Sequence, residues 1–150
     1  MLLDKIAWIT KAPVIHAPIQ RFKDLSEMPR NYKELKVWQK SYQLYMDLDK
    51  VTKTFPEKDG FGLTSQMIKA AQSITSNIAK GYRRKTTSEY LRSLYVAYRS
   101  TCELEMQIIL SGDLGYLNQR ILSILHGDIC EVEKMLRAEI KSIENKQLDT

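Results

Sequence analysis

The side chains with the strongest claim to chemistry in this chain are the basic ones between Gly62 and Ser100. Seven basic residues (Lys69, Lys80, Arg83, Arg84, Lys85, Arg92 and Arg99) stand there against a single acidic one, Glu89. So much fixed positive charge over so short a span attracts polyanions, and neutralising phosphates is the chemistry it supplies. Lys80, Arg83, Arg84 and Lys85 cluster in sequence. Arg92 and Arg99 are seven residues apart, so on a helix they project from nearly one face. Tyr82, Tyr95 and Tyr98 are interleaved and could stack on bases if exposed. A solvated surface over core tyrosines accounts for the same residues, and a net charge of only +5 keeps that reading open. The excess is local: residues 31–111 carry thirteen basic and eight acidic side chains, whereas residues 112–150 carry five and seven.

Other constellations are incomplete. A di-metal helical bundle needs paired Glu-x-x-His motifs, and the two histidines, His16 and His126, complete none. His126 and Cys130 lie four residues apart and share a helical face, but zinc takes three or four ligands and no further Cys/His cluster supplies them. No metal site and no cofactor is expected. Cys102 or Cys130 paired with His126 would make a nucleophile and base, yet both thiols fall at apolar helical positions without a loop to build an oxyanion site. No catalytic residue is therefore assigned, and the chain is expected not to be an enzyme. Gly60-Phe61-Gly62 reads as a turn, not a phosphate-cradling loop. Asn77, Glu103 and Glu105 are polar residues on packed helices, where each needs a hydrogen-bond partner. They either fix helix register or form a binding site in the bundle, and the register reading is preferred.

The elements that must position these residues are helical. Gly and Pro are scarce, with 6 and 4 in 150 residues, and nothing alternates with period two long enough for a strand. Asn31 with Glu34 three residues on marks a helix start; Leu35, Trp38, Tyr42, Tyr45, Leu48, Val51 and Phe55 follow on one face, to about Thr54, before Pro56. A second helix is expected over about 63–80, with Met67, Ala70, Ala71, Ile74 and Ile78 inward and Gly81 as its stop. A third starts after Thr87 or Ser88. Its inward row is Tyr90, Leu94, Ala97, Thr101, Leu104 and Ile108, and a second row of Leu91, Tyr95, Tyr98, Cys102 and Ile109 widens the apolar face. A fourth, over about 118–145, uses Leu122, Leu125, Ile129, Val132, Leu136, Ile140 and Ile143. Short loops between long amphipathic helices give an all-α, antiparallel up-down four-helix bundle over residues 31–150. Residues 1–30, with Pro13, Pro18 and Pro29, read as a partly extended N-terminal arm with a short helix around Leu3–Thr10, either docked or free.

Composition narrows the setting. The chain is long enough for one domain with a core of its own. Two cysteines read as reduced core residues, since a disulfide framework needs more. No uncharged apolar run approaches the roughly 20 residues that span a bilayer, and the first residues make a poor signal peptide. A cytoplasmic protein with no membrane partner is expected.

Several separated motifs carry a resemblance. Tyr32-Lys33-Glu34-Leu35-Lys36-Val37-Trp38-Gln39, Thr54-Phe55-Pro56, Gly62-Leu63-Thr64-Ser65-Gln66, Ser73-Ile74-Thr75-Ser76-Asn77-Ile78-Ala79-Lys80-Gly81-Tyr82 and Leu114-Gly115-Tyr116-Leu117 occur in order. Over about residues 32–145 the chain resembles the bacterial four-helix-bundle proteins first noticed as open reading frames inside intervening sequences of 23S ribosomal RNA genes. The resemblance implies a ring-like homopentamer. It also implies kinship with accessory proteins of reverse transcriptases in diversity-generating retroelements, which are thought to contact both polymerase and RNA. Two positions depart from the family pattern: Lys80 stands where Glu is usual, and Arg99 where the family often has Gly. Both add positive charge to the same segment. The resulting expectation is an oligomeric, non-enzymatic accessory protein that binds RNA or DNA, with a protein-interaction scaffold as the alternative.

Overall fold

Apolar residues at spacings of three and four build four α-helices: α1 (Lys36–Thr52), α2 (Leu63–Tyr82), α3 (Thr87–Asp113) and α4 (Gln119–Leu148). The structure is a computed structural model that describes residues 31–59, 62–84 and 86–148. The arm expected over residues 1–30 lies outside the described residues. Each helix packs on the next and α4 returns to α1, closing an antiparallel bundle without a strand among the described residues. Its core is aliphatic: Leu44, Leu48, Met67, Ile74, Ile78, Leu94, Leu104, Ile108, Leu125, Ile129 and Leu136 are all but inaccessible. Each such side chain contributes about 1.5–3 kcal/mol of burial free energy.

Three expectations shift in detail. Asn31 caps a 3-10 turn (Tyr32–Glu34), its Oδ1 accepting from Lys33 N–H at 3.1 Å, and α1 begins only after Leu35, whose backbone is extended. The buried face of α1 runs through Val37, Ser41, Leu44, Leu48 and Val51, while Tyr42 lies on the surface. Ser41 hides on that face because its hydroxyl donates to the Trp38 carbonyl (2.9 Å), while Trp38 and Tyr45 pack partly buried against the core. Gly81 does not stop α2. It is buried inside the helix, where a Cβ would meet Ser93 Cβ at 2.8 Å and Tyr90 Cδ2 at 3.0 Å. Its missing side chain is what lets α2 and α3 close at this end.

Between those helices a few small polar side chains sit beside the aliphatic core. Ser73 and Ser100 hydroxyls lie 2.8 Å apart, and the Asn77 amide donates to the Ser73 carbonyl (2.8 Å) and hydroxyl (3.2 Å). Asn77 thus bonds within α2 and holds the Ser73 hydroxyl that meets Ser100 of α3. At the other end α3 stops in a Schellman turn: Gly115 has φ +77°, and Tyr116 N–H bonds the Ser111 carbonyl at 2.9 Å. Asn118 then caps α4 through Ile121 N–H (2.9 Å). Among the described residues no helix is long and apolar enough to cross a membrane.

Candidate nucleic-acid interface

The short connection between α2 and α3 concentrates charge. Arg84 N–H bonds the Gly81 carbonyl at 3.0 Å, and Thr86 Oγ1 accepts from Glu89 N–H at 3.2 Å, so Thr86 rather than Thr87 caps α3. Lys80, Arg83 and Arg84 are exposed here, and Arg92 is exposed on α3 beside Ser93, opposite Gly81. All four belong to the helix ends and turn of the α2–α3 hairpin. Arg99 lies about 10 Å farther along α3, and Lys69 about 16 Å back along α2 on nearly the same face as Lys80; both are exposed. Lys85 lies outside the described residues. None of the six described cations pairs with a carboxylate among the described residues. Elsewhere cations are neutralised: Lys40 by Asp128 (3.1 Å) and Glu131 (3.2 Å), Lys53 by Asp49 (3.2 Å), and Arg137 by Glu133 (2.6 Å).

Aromatic rings adjoin this cluster, though not all the expected ones. A cleft of about 330 Å³ is lined by Asn31, Tyr32, Tyr82 and Arg83. The Arg83 guanidinium lies over the Tyr32 ring, 5.1 Å from its centroid. Tyr32 meets Trp38 edge-on at 5.2 Å, and Trp38 stacks on Tyr42 at 5.0 Å. The rings thus run from the basic turn along the outside of α1. Burial, then the nearby Glu34 charge, pushes the Tyr82 phenol above its ordinary range, so it stays neutral. Tyr95 and Tyr98 are committed elsewhere: the Tyr95 hydroxyl donates to Glu144 and the Tyr98 hydroxyl to Glu133 (3.4 Å), with Arg137 donating to both Tyr98 and Glu133. Sequence reasoning missed Tyr32 as a neighbour of Arg83, because some fifty residues separate them along the chain.

The reactive side chains give a second, unrelated cluster. His126 and Cys130 do face together, and α3 brings Glu105 to them: Glu105 Oε1 lies 3.0 Å from His126 Nε2 and 3.7 Å from Cys130 Sγ. Cys130 Sγ is 3.8 Å from the same His126 nitrogen. A nucleophilic triad needs thiol and carboxylate on different ring nitrogens, and here both address Nε2. Burial, then the Glu105 charge, also pushes the Cys130 thiol up, away from the nucleophilic thiolate. Cys102, expected in the core, is exposed, and both thiols are free.

α3 also carries an apolar surface. Tyr95, Met106, Ile109, Leu110 and Leu114 are 39–57% exposed. Part of the second apolar row therefore faces outward instead of into the bundle.

The comparisons agree with this architecture. A solved structure described as a protein of unknown function from the S23 ribosomal protein family of Bacteroides thetaiotaomicron VPI-5482 has the same fold. Its TM-score is 0.65 at 21% identity, covering 70% of this chain and 95% of that one. A comparison with curated proteins gives no match. The family model for the 23S rRNA-intervening sequence protein matches residues 33–138, and the chain belongs to that family.

Proposed function

We propose that this protein is a non-enzymatic accessory protein that binds structured RNA through the α2–α3 hairpin end. The observation that carries the reading is a group of cations with no carboxylate partner among the described residues, Lys80, Arg83, Arg84 and Arg92, beside a cleft walled by Tyr32 and Tyr82. Cations that lack carboxylate partners are free to neutralise phosphates, and adjacent rings offer a stacking platform for an unpaired base. Unpaired, splayed bases are the usual target of RNA recognition, which favours RNA over duplex DNA. Lys69 and Arg99 extend the basic surface along the two helices, and Lys85 adds a seventh charge in sequence. Photo-crosslinking to an RNA carrying 4-thiouridine tests the placement. Crosslinked peptides should contain Tyr32 or Tyr82; crosslinks confined to α4, or none at all, contradict it.

The reading includes self-association, with the homopentamer implied by the family resemblance as the assembly. Its support is the exposed row Met106, Ile109, Leu110 and Leu114, apolar area that one bundle leaves uncovered. Sedimentation velocity at micromolar concentration should show an oligomer that dissociates when Met106 and Leu110 are both changed to Glu. A wild-type monomer contradicts it. The same resemblance makes a reverse transcriptase the protein partner to test. Should RNA binding fail while the oligomer holds, the α3 surface favours the second reading, a protein-interaction scaffold.

A further inference from the structure

We infer that Glu105, His126 and Cys130 form a binding site for a borderline transition-metal dication of the zinc class, independent of the nucleic-acid surface. The three donor atoms, Glu105 Oε1, His126 Nε2 and Cys130 Sγ, converge with separations of 3.0, 3.7 and 3.8 Å. A tetrahedral zinc ion bound at about 2.0–2.1 Å by nitrogen and oxygen and about 2.3 Å by sulfur sets its ligands about 3.4–3.6 Å apart. The site matches that triangle to within a few tenths of an ångström. Only the Glu105–His126 edge must lengthen, which replaces their hydrogen bond with two bonds to the metal.

The direction of the donors matters as much as their spacing. Both the carboxylate and the thiol address one imidazole nitrogen, an arrangement unsuited to relaying a proton but suited to enclosing one ion. The frame is rigid: His126 and Cys130 sit one turn apart on α4, and Glu105 comes from the middle of α3. All three are half-buried, and the His126 side chain is 42% exposed, so an ion can enter from solvent. Three protein ligands leave a fourth position for water or for a donor from another molecule. A sulfur–nitrogen–oxygen set selects against magnesium and calcium, which require oxygen ligands.

Cobalt(II) titrated into the tag-free, reduced full-length chain is the test, because cobalt reports its own ligands. The expected result is a saturable signal at one cobalt per chain, with thiolate-to-cobalt charge transfer and the intense visible bands of a tetrahedral ion, displaced by zinc. Cys130→Ser should abolish the charge-transfer band. His126→Ala and Glu105→Gln should weaken affinity at least about a hundredfold, beyond the loss typical of disturbing a group behind the ligands. Cys102→Ser, which removes the exposed thiol, should leave the signal intact. Zinc should raise the melting temperature of wild type and of Cys102→Ser but not of Cys130→Ser, with all variants helical by circular dichroism. Absence of a thiolate–cobalt band in wild type, or a band that follows Cys102, overturns the inference.

Discussion

Changing Lys80, Arg83, Arg84 and Lys85 to Ala should weaken binding to structured RNA about a hundredfold at ~0.1 M salt, with the bundle still folded. The factor corresponds to roughly 2.7 kcal/mol, or about 0.7 kcal/mol per cation, in the range of exposed charge contacts. The loss should not be accompanied by unfolding. Lys80, Arg83 and Arg84 are exposed and make no ion pair among the described residues, so their removal strands no buried charge. Anisotropy titrations beside a circular-dichroism melt check both halves of the statement. Arg83 carries an additional load, since its guanidinium covers the Tyr32 ring and shapes the cleft. Arg83→Lys should therefore retain charge yet recover only part of the affinity, as ammonium does not stack as guanidinium does. Affinity unchanged in the fourfold variant would move the site elsewhere.

Gly81→Ala should destabilise the bundle by about 1–2 kcal/mol, against the usual gain of nearly 1 kcal/mol when alanine replaces a helical glycine. The added methyl meets Ser93 Cβ at 2.8 Å, an atom fixed to the α3 backbone, so relief requires the helices to part. Overpacking of that kind costs about 1–3 kcal/mol. Gly112→Ala supplies the contrast. Its Cβ would meet Leu122 Cδ2 at 2.6 Å, the far end of a flexible side chain, which can rotate away. Urea unfolding should show a lower midpoint for Gly81→Ala at unchanged slope and little change for Gly112→Ala. Parting α2 from α3 at this end also moves Arg92 from Lys80, so Gly81→Ala should weaken RNA binding while removing no charge. A Gly81→Ala protein as stable as wild type would contradict the close approach.

The inward rows of α2, α3 and α4 were legible in the sequence because aliphatic residues repeat there at helical spacing. Leu125, Ile129, Val132, Leu136 and Ile140 are buried as their pattern requires. α1 was less legible, since Tyr42 shares the spacing of Trp38 and Tyr45, which pack partly buried against the core, yet lies on the surface, and pattern cannot tell a core ring from a surface stack. Gly81 misled for a related reason: glycine at a helix end and glycine at a helix crossing look alike until the partner helix is placed. The basic cluster could be read locally because its members are near one another in sequence. Tyr32 over Arg83 and Glu105 beside His126 could not, as each pair depends on how separate helices align. Cys102 shows the same limit, an apolar-looking helical position that the bundle leaves on its surface.

The most direct test of the nucleic-acid surface is the salt dependence of RNA affinity in wild type and in the fourfold alanine variant. Each phosphate neutralised on a single strand contributes a slope of about −0.7 in log affinity against log salt. Contacts from most of the seven basic residues between Gly62 and Ser100 should give wild type a slope of about −3 to −5, and the variant one shallower by about 2–3. Tight binding with a slope near zero, or a steep slope that survives in the variant, would contradict the proposed interface.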